Sequence, residues 1–274
     1  MKNKVTLLII ALLAISLTSC ATKGEKIESV TDLKGKVIGV LSNALPTQNQ
    51  TSNLTILIKG APADVVAFNR GADMYAALRK GEIDAFPIAQ FVAGYLLERN
   101  KDFKAIPVVD AVIEAQAVMA VRSDNIQLKA SLDSAILILK ENGTIAALEE
   151  EWITNLPANR EPSFTDIPKY EGAPTYNVGV AGDLPPLDYI AANGVPAGFN
   201  AALLSEIAKI LNINFEFVFV ETQERFTALA AKKIDIVFCH FHSTNTSFDE
   251  LKDDSWVGTH PYFKYQGGSF LVKK

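Results

Sequence analysis

"SVTDLKGKVIGV" (Ser29–Val40) reads as a short helical turn, a glycine corner and a buried strand, and the rest of the architecture follows from finding its echo. The strand portion "VIGVLSN" (Val37–Asn43) is matched by "NVGVAGD" (Asn177–Asp183). Two further pieces recur in the same order. The helix-to-strand passage "YAALRKGEIDAFPI" (Tyr75–Ile88) returns as "FTALAAKKIDIVFC" (Phe226–Cys239), and the strand "AVMAVRSD" (Ala117–Asp124) returns as "GSFLVKK" (Gly268–Lys274). Helical spacing fills the intervals, in "AALLSEIAKILN" (Ala201–Asn212) and in "SLDSAILILKENGTIAALEEEWI" (Ser131–Ile153), which reads as two helices around Asn142 and Gly143. Short apolar strands alternating with helices predict parallel sheets covered on both faces, here as two similar α/β units. Pro157 to Pro174 holds four prolines without clear periodicity and reads as the connector between them. Asp84 and Asp235 hold matching repeat positions at the start of a buried strand, where a carboxylate usually caps a loop.

The bulk composition agrees. The 274 residues are 49% hydrophobic, enough for two modest lobes with real cores. A net charge of −5 and the lack of a basic run argue against nucleic acid as a partner. The sequence has no Gly-rich phosphate loop, no CxxC pair and no HExxH, so no cofactor and no metal is expected.

The N-terminus reads as a targeting segment. Lys2 and Lys4 precede the apolar run Val5–Leu17, which is too short for a comfortable membrane span. The run ends in "LTSC", which resembles the lipobox of bacterial lipoproteins and implies cleavage before Cys20 and lipidation of that cysteine. The alternative is an ordinary signal peptide with an incidental cysteine. "ATKGEKIE" after it suits a tether. With Cys20 lipidated only Cys239 remains, which leaves no intramolecular disulfide.

The repeated pieces carry a family resemblance. "NVGVAGDLPPLDY", "GVPAGFNAALLSEIAKILNINFEFVFV", "LAAKKIDIV" and "THPYF" are similar to the first half of the family 3 (amino-acid type) extracellular solute-binding proteins of bacteria. "TDLKGKVIGV", "ALRKGEIDAF", "AVMAVRSDN" and "LKENGTIAALEEEWI" are similar to that family's second half. The resemblance implies a type II periplasmic-binding-protein fold, two Rossmann-like α/β lobes joined by two hinge strands, with the halves exchanged as in a circular permutation. A segment of a tandem array would give the same order. The implied organisation is a signal peptide over 1–19, a tether over 20–28 and a second-lobe-like unit over 29–116. A hinge strand over 117–122, closing helices of the first lobe over 123–156 and a connector over 157–175 follow. The first lobe covers 176–266 and the second hinge strand 267–274.

The family also implies a function: a monomeric lipoprotein of the cell envelope that captures a small polar solute and hands it to an ABC transporter permease. Cleft positions after the strands are Asp183, Tyr189, His240, His242 and Thr244 on one lobe, and Ser42, Asn43 and Gln90 on the other. Gln116 and Tyr262 precede the crossover strands. Asp183 serves either as a ligand contact or as a turn cap, and Tyr189 and Tyr262 either stack on a ligand or fill a lobe core. His240 and His242, two apart on a strand, share a face and suit either a metal pair or polar cleft residues. The departures matter as much. Ser247 stands where the family's carboxylate-binding Arg is expected, Ala89 where its acidic residue is expected, and Leu187 where it has an aromatic. These departures imply a neutral polar or aromatic solute, or an amino-acid derivative, rather than a standard α-amino acid. Other readings of the same scaffold are a sensing or partner-binding lipoprotein without transport, and a dehydratase-like enzyme using His240, His242 and Asp183.

Overall fold

The computed structural model describes residues 26–42, 47–110, 113–156, 167–191, 194–243 and 252–274. The targeting segment with Cys20, and Asn43, Thr244, Ser247 and residues 157–166 of the connector, lie outside them.

In chain order the first part carries β1 (Val37–Leu41), α1 (Thr47–Leu57), β2 (Asp64–Phe68), α2 (Gly71–Lys80), β3 (Ala85–Ala89), α3 (Gln90–Arg99) and β4 (Phe103–Pro107). Next come β5 (Glu114–Arg122), α4 (Ile126–Glu141) and α5 (Thr144–Glu149). The last part carries β6 (Thr175–Val180), β7 (Asp183–Leu184), β8 (Asp188–Ile190), β9 (Pro196–Ala197), α6 (Phe199–Leu211) and β10 (Asn214–Phe219). It ends with α7 (Arg225–Ala230), β11 (Ile236–Ser243), β12 (Trp256–Gly258), β13 (Phe263–Gln266) and β14 (Gly268–Lys273).

Two sheets of the same plan result. The leading sheet runs β2-β1-β3-β14-β4 and the trailing sheet β10-β6-β11-β5-β12, with β13 also on β5. In each, the first three strands are parallel, as the βαβ pattern predicts. The fourth is antiparallel and comes from the other part of the chain: β14 enters the leading sheet after β13, and β5 enters the trailing sheet after β4. The sheets are therefore mixed rather than purely parallel. A strand that crosses from one lobe to the other arrives at the opposite end of the sheet and must run back along it.

The repeat has a packing cause. A Cβ on Gly39 would sit 2.6 Å from Ile83 Cδ1, and one on Gly179 would sit 2.5 Å from Ile234 Cδ1. Each glycine makes room for the isoleucine of its own "ID" pair. The aspartates that follow make the same link between neighbouring parallel strands twice: Asp84 Oδ2 accepts from Val37 N at 2.8 Å, and Asp235 Oδ2 accepts from Asn177 N at 2.9 Å.

Alternation then sets the core. In the leading lobe Ile38, Val40, Phe270 and Val272 face one apolar layer with Leu54 and Ile58, while Phe86 and Leu271 face the other with Met74, Leu78 and Leu96. In the trailing lobe Met119, Val121, Ile236 and Phe238 pack under α4 and α6 with Leu132, Ile136, Leu203 and Trp152, and Ala120 and Val237 face Leu229. Asn142 and Gly143, the latter at φ 79°, separate α4 from α5 as the sequence predicts. Asn214 ties the end of the connector to the trailing sheet by accepting from Tyr170 N at 2.8 Å and donating to Tyr170 O at 3.0 Å. The chain passes between lobes at two neighbouring places. Gly267, at φ 83°, donates to Ile113 O at 2.8 Å, and Val108 N donates to Gly268 O at 2.9 Å. No described helix is long and apolar enough to cross a membrane.

Candidate functional site

A cavity of about 490 Å³ lies where strand ends of the two lobes meet. The leading lobe supplies Asn69, Met74, Tyr75, Phe86 and Phe91 among others, and the trailing lobe supplies Asp183, Asp188, Arg225, Cys239, His240 and Tyr265. A second cavity of about 280 Å³ shares Ala181, Asp183 and Thr222 with it and adds Arg70 and Glu221. Volumes of this order suit a small solute.

Much of the polar wall depends on one irregularity in β11. Val237 pairs with Ala120 and His240 with Val118, so Phe238 and Cys239 together face the single residue Met119. This bulge puts Cys239 at φ 59°, a conformation that side chains rarely adopt, and aims Cys239 and His240 at the cavity. The ladder groups it releases are satisfied from elsewhere. Thr259 Oγ1 accepts from Met119 N at 3.0 Å, and Arg225 Nη1 donates to Phe238 O at 2.6 Å.

Arg225 begins α7 and is 8% exposed. Its Nε donates to Thr222 O at 3.4 Å, which together with the Phe238 bond fixes the guanidinium plane. Among the described residues no carboxylate forms an ion pair with it. Asp188 is 5% exposed, and its Oδ2 accepts from Ala181 N and Gly182 N, both at 3.3 Å. Burial pushes its carboxyl up to about 6, against the pull of the Gly182 N–H and the Arg225 charge. Burial also pushes the Cys239 thiol up to about 12, so it stays protonated and unreactive at neutral pH. His240 is pushed down to about 4 by burial first and then by the Arg225 and His242 charges. It is neutral at pH 7, edge-on to Phe226 at 5.0 Å and Trp256 at 5.2 Å.

Asp183 joins the lobes. Its Oδ2 accepts at 3.3 Å from Gly71 N, the first residue of α2 in the leading lobe, where a negative charge suits the helix end. Tyr75 stands near it, and burial followed by the Asp183 charge raises its phenol.

Of the candidate residues from the sequence, Asp183 and His240 line the main cavity. The others do not. Tyr262 is 1% exposed and packs between Phe199 and Phe238 with its hydroxyl on Asn200 at 3.4 Å, so it is a core residue. Tyr189 is buried with its ring centroid 6.2 Å from that of Tyr95. Gln90 Oε1 accepts from Ser269 Oγ at 2.6 Å beside the lobe passage. Gln116 and His242 face each other across the β5–β11 ladder, and Ser42 donates to Phe68 O and Asn69 Oδ1, each at 3.0 Å. Among the described residues no three His, Cys, Asp or Glu side chains converge as a metal set. The sequence reading missed Asp188 and Arg225. The signal for the arginine is its register: Arg225, Ala228 and Leu229 fall on one helical face, which places a charge in a buried stripe.

Comparison with known proteins divides the chain as its two halves suggest. Residues 176–274 match the bacterial extracellular solute-binding proteins, family 3, and residues 5–150 match the family described as NMT1/THI5 like. The L-cystine-binding protein TcyJ of Escherichia coli (strain K12) is 31% identical over 126 residues, 46% of this chain and 45% of that protein. The amino-acid-binding protein AabA of Dichelobacter nodosus is 28% identical over 138 residues, 49% and 52% of the two chains. This chain therefore spans about half the length of the curated relatives it matches. A zinc-bound ligand-binding component of an ABC-type import system from Staphylococcus aureus matches in structure with a TM-score of 0.46 and 13% identity, over 88% of this chain and 66% of that one.

Proposed function

We propose that this chain, whose residues 176–274 match the bacterial extracellular solute-binding proteins, family 3, captures a small polar solute of the amino-acid class, or a derivative, between its lobes for delivery to an ABC importer. The observation that carries this reading is the cavity itself, walled by both lobes at their strand ends. Rotation about the two neighbouring chain passages, at Val108, Ile113 and Gly267, opens and closes the cavity while each sheet stays intact. Solute favours the closed form because only there does it touch both walls.

The finer parts of the proposal concern the envelope. The chain is held at a membrane through a lipid on Cys20, faces the periplasm or exterior and acts as a monomer. Its exchanged order of halves is a circular permutation. In support of the last point, Lys273 pairs with Phe103, and Lys104 of the same strand reaches Glu28 at 2.9 Å, so the end of β14 runs close to the segment that starts the leading lobe. Joining the halves in the family's order then preserves the packed contacts.

Native mass spectrometry on protein purified gently without residues 1–20, repeated after denaturation, tests the reading. The expected result is one small molecule per chain, with a smaller radius of gyration in solution scattering when it is bound. Protein that is empty, and that no member of a broad metabolite panel stabilises, refutes it.

A further inference from the structure

We propose, resting on the reading that a lipid on Cys20 holds the chain at a membrane, that the basic end of the leading lobe lies against an anionic phospholipid surface, with the cavity and the acidic trailing lobe turned away from it. The charge of the chain is divided unevenly between the lobes. Residues 26–110 and 268–274 carry twelve Lys and Arg against nine Asp and Glu, whereas residues 111–267 carry eleven against twenty-one. The net charge of −5 thus hides a leading lobe of +3 and a trailing lobe of −10, the remaining +2 belonging to residues 1–25.

Three observations carry the inference. First, the fold gathers the surplus at one end. β1, β2 and β3 run parallel and bring Leu41, Asn69 and Ala89 to the cavity, so their opposite ends form the far end of the lobe. Lys34 precedes β1, Lys80 closes α2 and Lys101 precedes β4, while Lys273 and Lys274 end β14, which runs antiparallel to β3 and so returns to the same end. All five residues are exposed. Lys273 Nζ donates to Arg79 O at 3.1 Å and Lys274 N to Asp102 O at 2.9 Å, which joins the end of α2 and the start of β4 to the end of β14 in one face. Of the acids here, Glu82 and Glu98 lie 3.7 and 3.9 Å from Lys80 and Lys101, and Asp32 and Asp84 are bound to backbone N–H groups. Arg70 and Asp73, towards the cavity, cancel, so the surplus of the lobe belongs to the far end. Second, the described chain starts at this end. Lys104 Nζ pairs with Glu28 Oε1 at 2.9 Å, and Ile27 and Val30 pack on the apolar layer of Leu33. Lys26 is six residues from Cys20, a reach of at most about 20 Å, so a lipid there brings this end to the membrane. Third, screening confines a surface charge to about 8 Å at physiological salt, so the face that a tether holds close decides the interaction. Each cation there favours contact with an anionic surface about fivefold, and a single lipid anchor gains from such a patch. The trailing lobe, with ten more acids than bases, is repelled by the same surface, so both poles favour one orientation.

The test uses the protein purified from cells that express the full chain and inserted into vesicles of phosphatidylcholine alone or of equal parts phosphatidylcholine and phosphatidylglycerol. Flotation with the neutral vesicles reads the anchor, and the rate at which a water-soluble reagent acylates each lysine, read by peptide mass spectrometry, reads the orientation. Lys34, Lys273 and Lys274 are expected to react about fivefold more slowly on the anionic vesicles than on the neutral ones, while Lys233 and Lys252 of the trailing lobe react alike on both. The protection should disappear at about 1 M salt, where the screening length falls to about 3 Å. Lys34→Glu with Lys274→Glu reverses the local charge and should abolish the protection of Lys273 with the same melting temperature; if that variant melts lower, the salt dependence of the wild type decides. Protein that floats with both kinds of vesicle but shows equal rates on them, or protection of Lys233 and Lys252 instead, overturns the orientation and leaves the anchor standing. Protection that survives high salt or the charge reversal overturns the electrostatic basis. Protein that carries no lipid by intact mass and floats with neither kind of vesicle overturns the anchored reading, and this inference with it.

Discussion

Asp188→Asn should change how stability depends on pH, and the size of the change follows from where Asp188 sits. The carboxyl is buried beneath the cavity, and burial moves its titration from 3.8 to about 6. Between those values the native state holds a proton that the unfolded chain has released, so Asp188 contributes stability at low pH and loses it as pH rises through 6. A displacement of about two pH units corresponds to about 3 kcal/mol at 1.36 kcal/mol per unit. His240 works in the opposite direction. With its imidazole pushed down to about 4, the unfolded chain binds the extra proton between about 4 and 6.5, and stability falls as pH drops through that window. The two slopes offset each other in the wild type, so the wild-type profile alone is uninformative and the difference between proteins is the quantity to read. Asparagine keeps an oxygen to accept the Ala181 and Gly182 N–H groups while removing the titration. Melting temperatures of both proteins are measured at half-unit steps from pH 4 to 7.5. The variant should gain on the wild type by about 2–3 kcal/mol across that range, or about 5–10 °C at about 2–4 °C per kcal/mol for a chain of this size. A gap that stays constant with pH, or that closes as pH rises, refutes the assignment of a buried, proton-holding Asp188.

Two further predictions concern geometry. Gly198 sits at φ 109°, and a methyl group added there would lie only 2.6 Å from the carbonyl oxygens of Pro186 and Leu187, so Gly198→Ala should cost at least about 2 kcal/mol. Gly143→Ala, at φ 79° with open space around it, should cost about 1 kcal/mol, and equal losses for the two would show that the backbone contacts at Gly198 do not matter. Asp183→Ala removes the inter-lobe bond to Gly71 N; a loss of about 1 kcal/mol shifts the closed-to-open ratio about fivefold. Solution scattering of solute-free protein should then give a larger radius of gyration, and an unchanged value argues that this bond does not hold the lobes together.

The fold was legible wherever a pattern stayed within one repeat. Gly39 with Ile83 and Gly179 with Ile234 are contacts within single repeats, and Asp84 and Asp235 each tie the start of one strand to the parallel strand beside it in the same repeat, so the repeat announced itself in the sequence. The division of α4 from α5 at Gly143 was visible for the same reason. Strand partners were not. An apolar strand such as β14 looks the same whether its neighbours run with it or against it, and only the crossing between lobes makes it antiparallel. The site was harder still. "VFCHFH" contains no glycine or asparagine to announce the left-handed residue at Cys239, so the bulge that shapes the polar wall left no trace. Tyr262 was ambiguous because an aromatic beside a strand end serves a core as readily as a ligand, and packing against Phe199 and Phe238 decides for the core.

The asymmetry of the cavity walls divides the work of recognition. The charged side chains of the cavity wall stand on the trailing lobe, where Arg225 is oriented by Phe238 and Thr222. The leading wall of Met74, Phe86 and Phe91 carries no charge. Binding to the trailing lobe alone leaves the equilibrium between open and closed forms untouched, since that contact is the same in both. On the proposed solute-binding reading, closure is driven by what the leading wall adds: covering about 100 Å² of apolar surface is worth about 2.5 kcal/mol. That is nearly a hundredfold change in the closed-to-open ratio. A solute with the right charge but no apolar body should therefore bind without closing the lobes, whereas one with both should bind and close them.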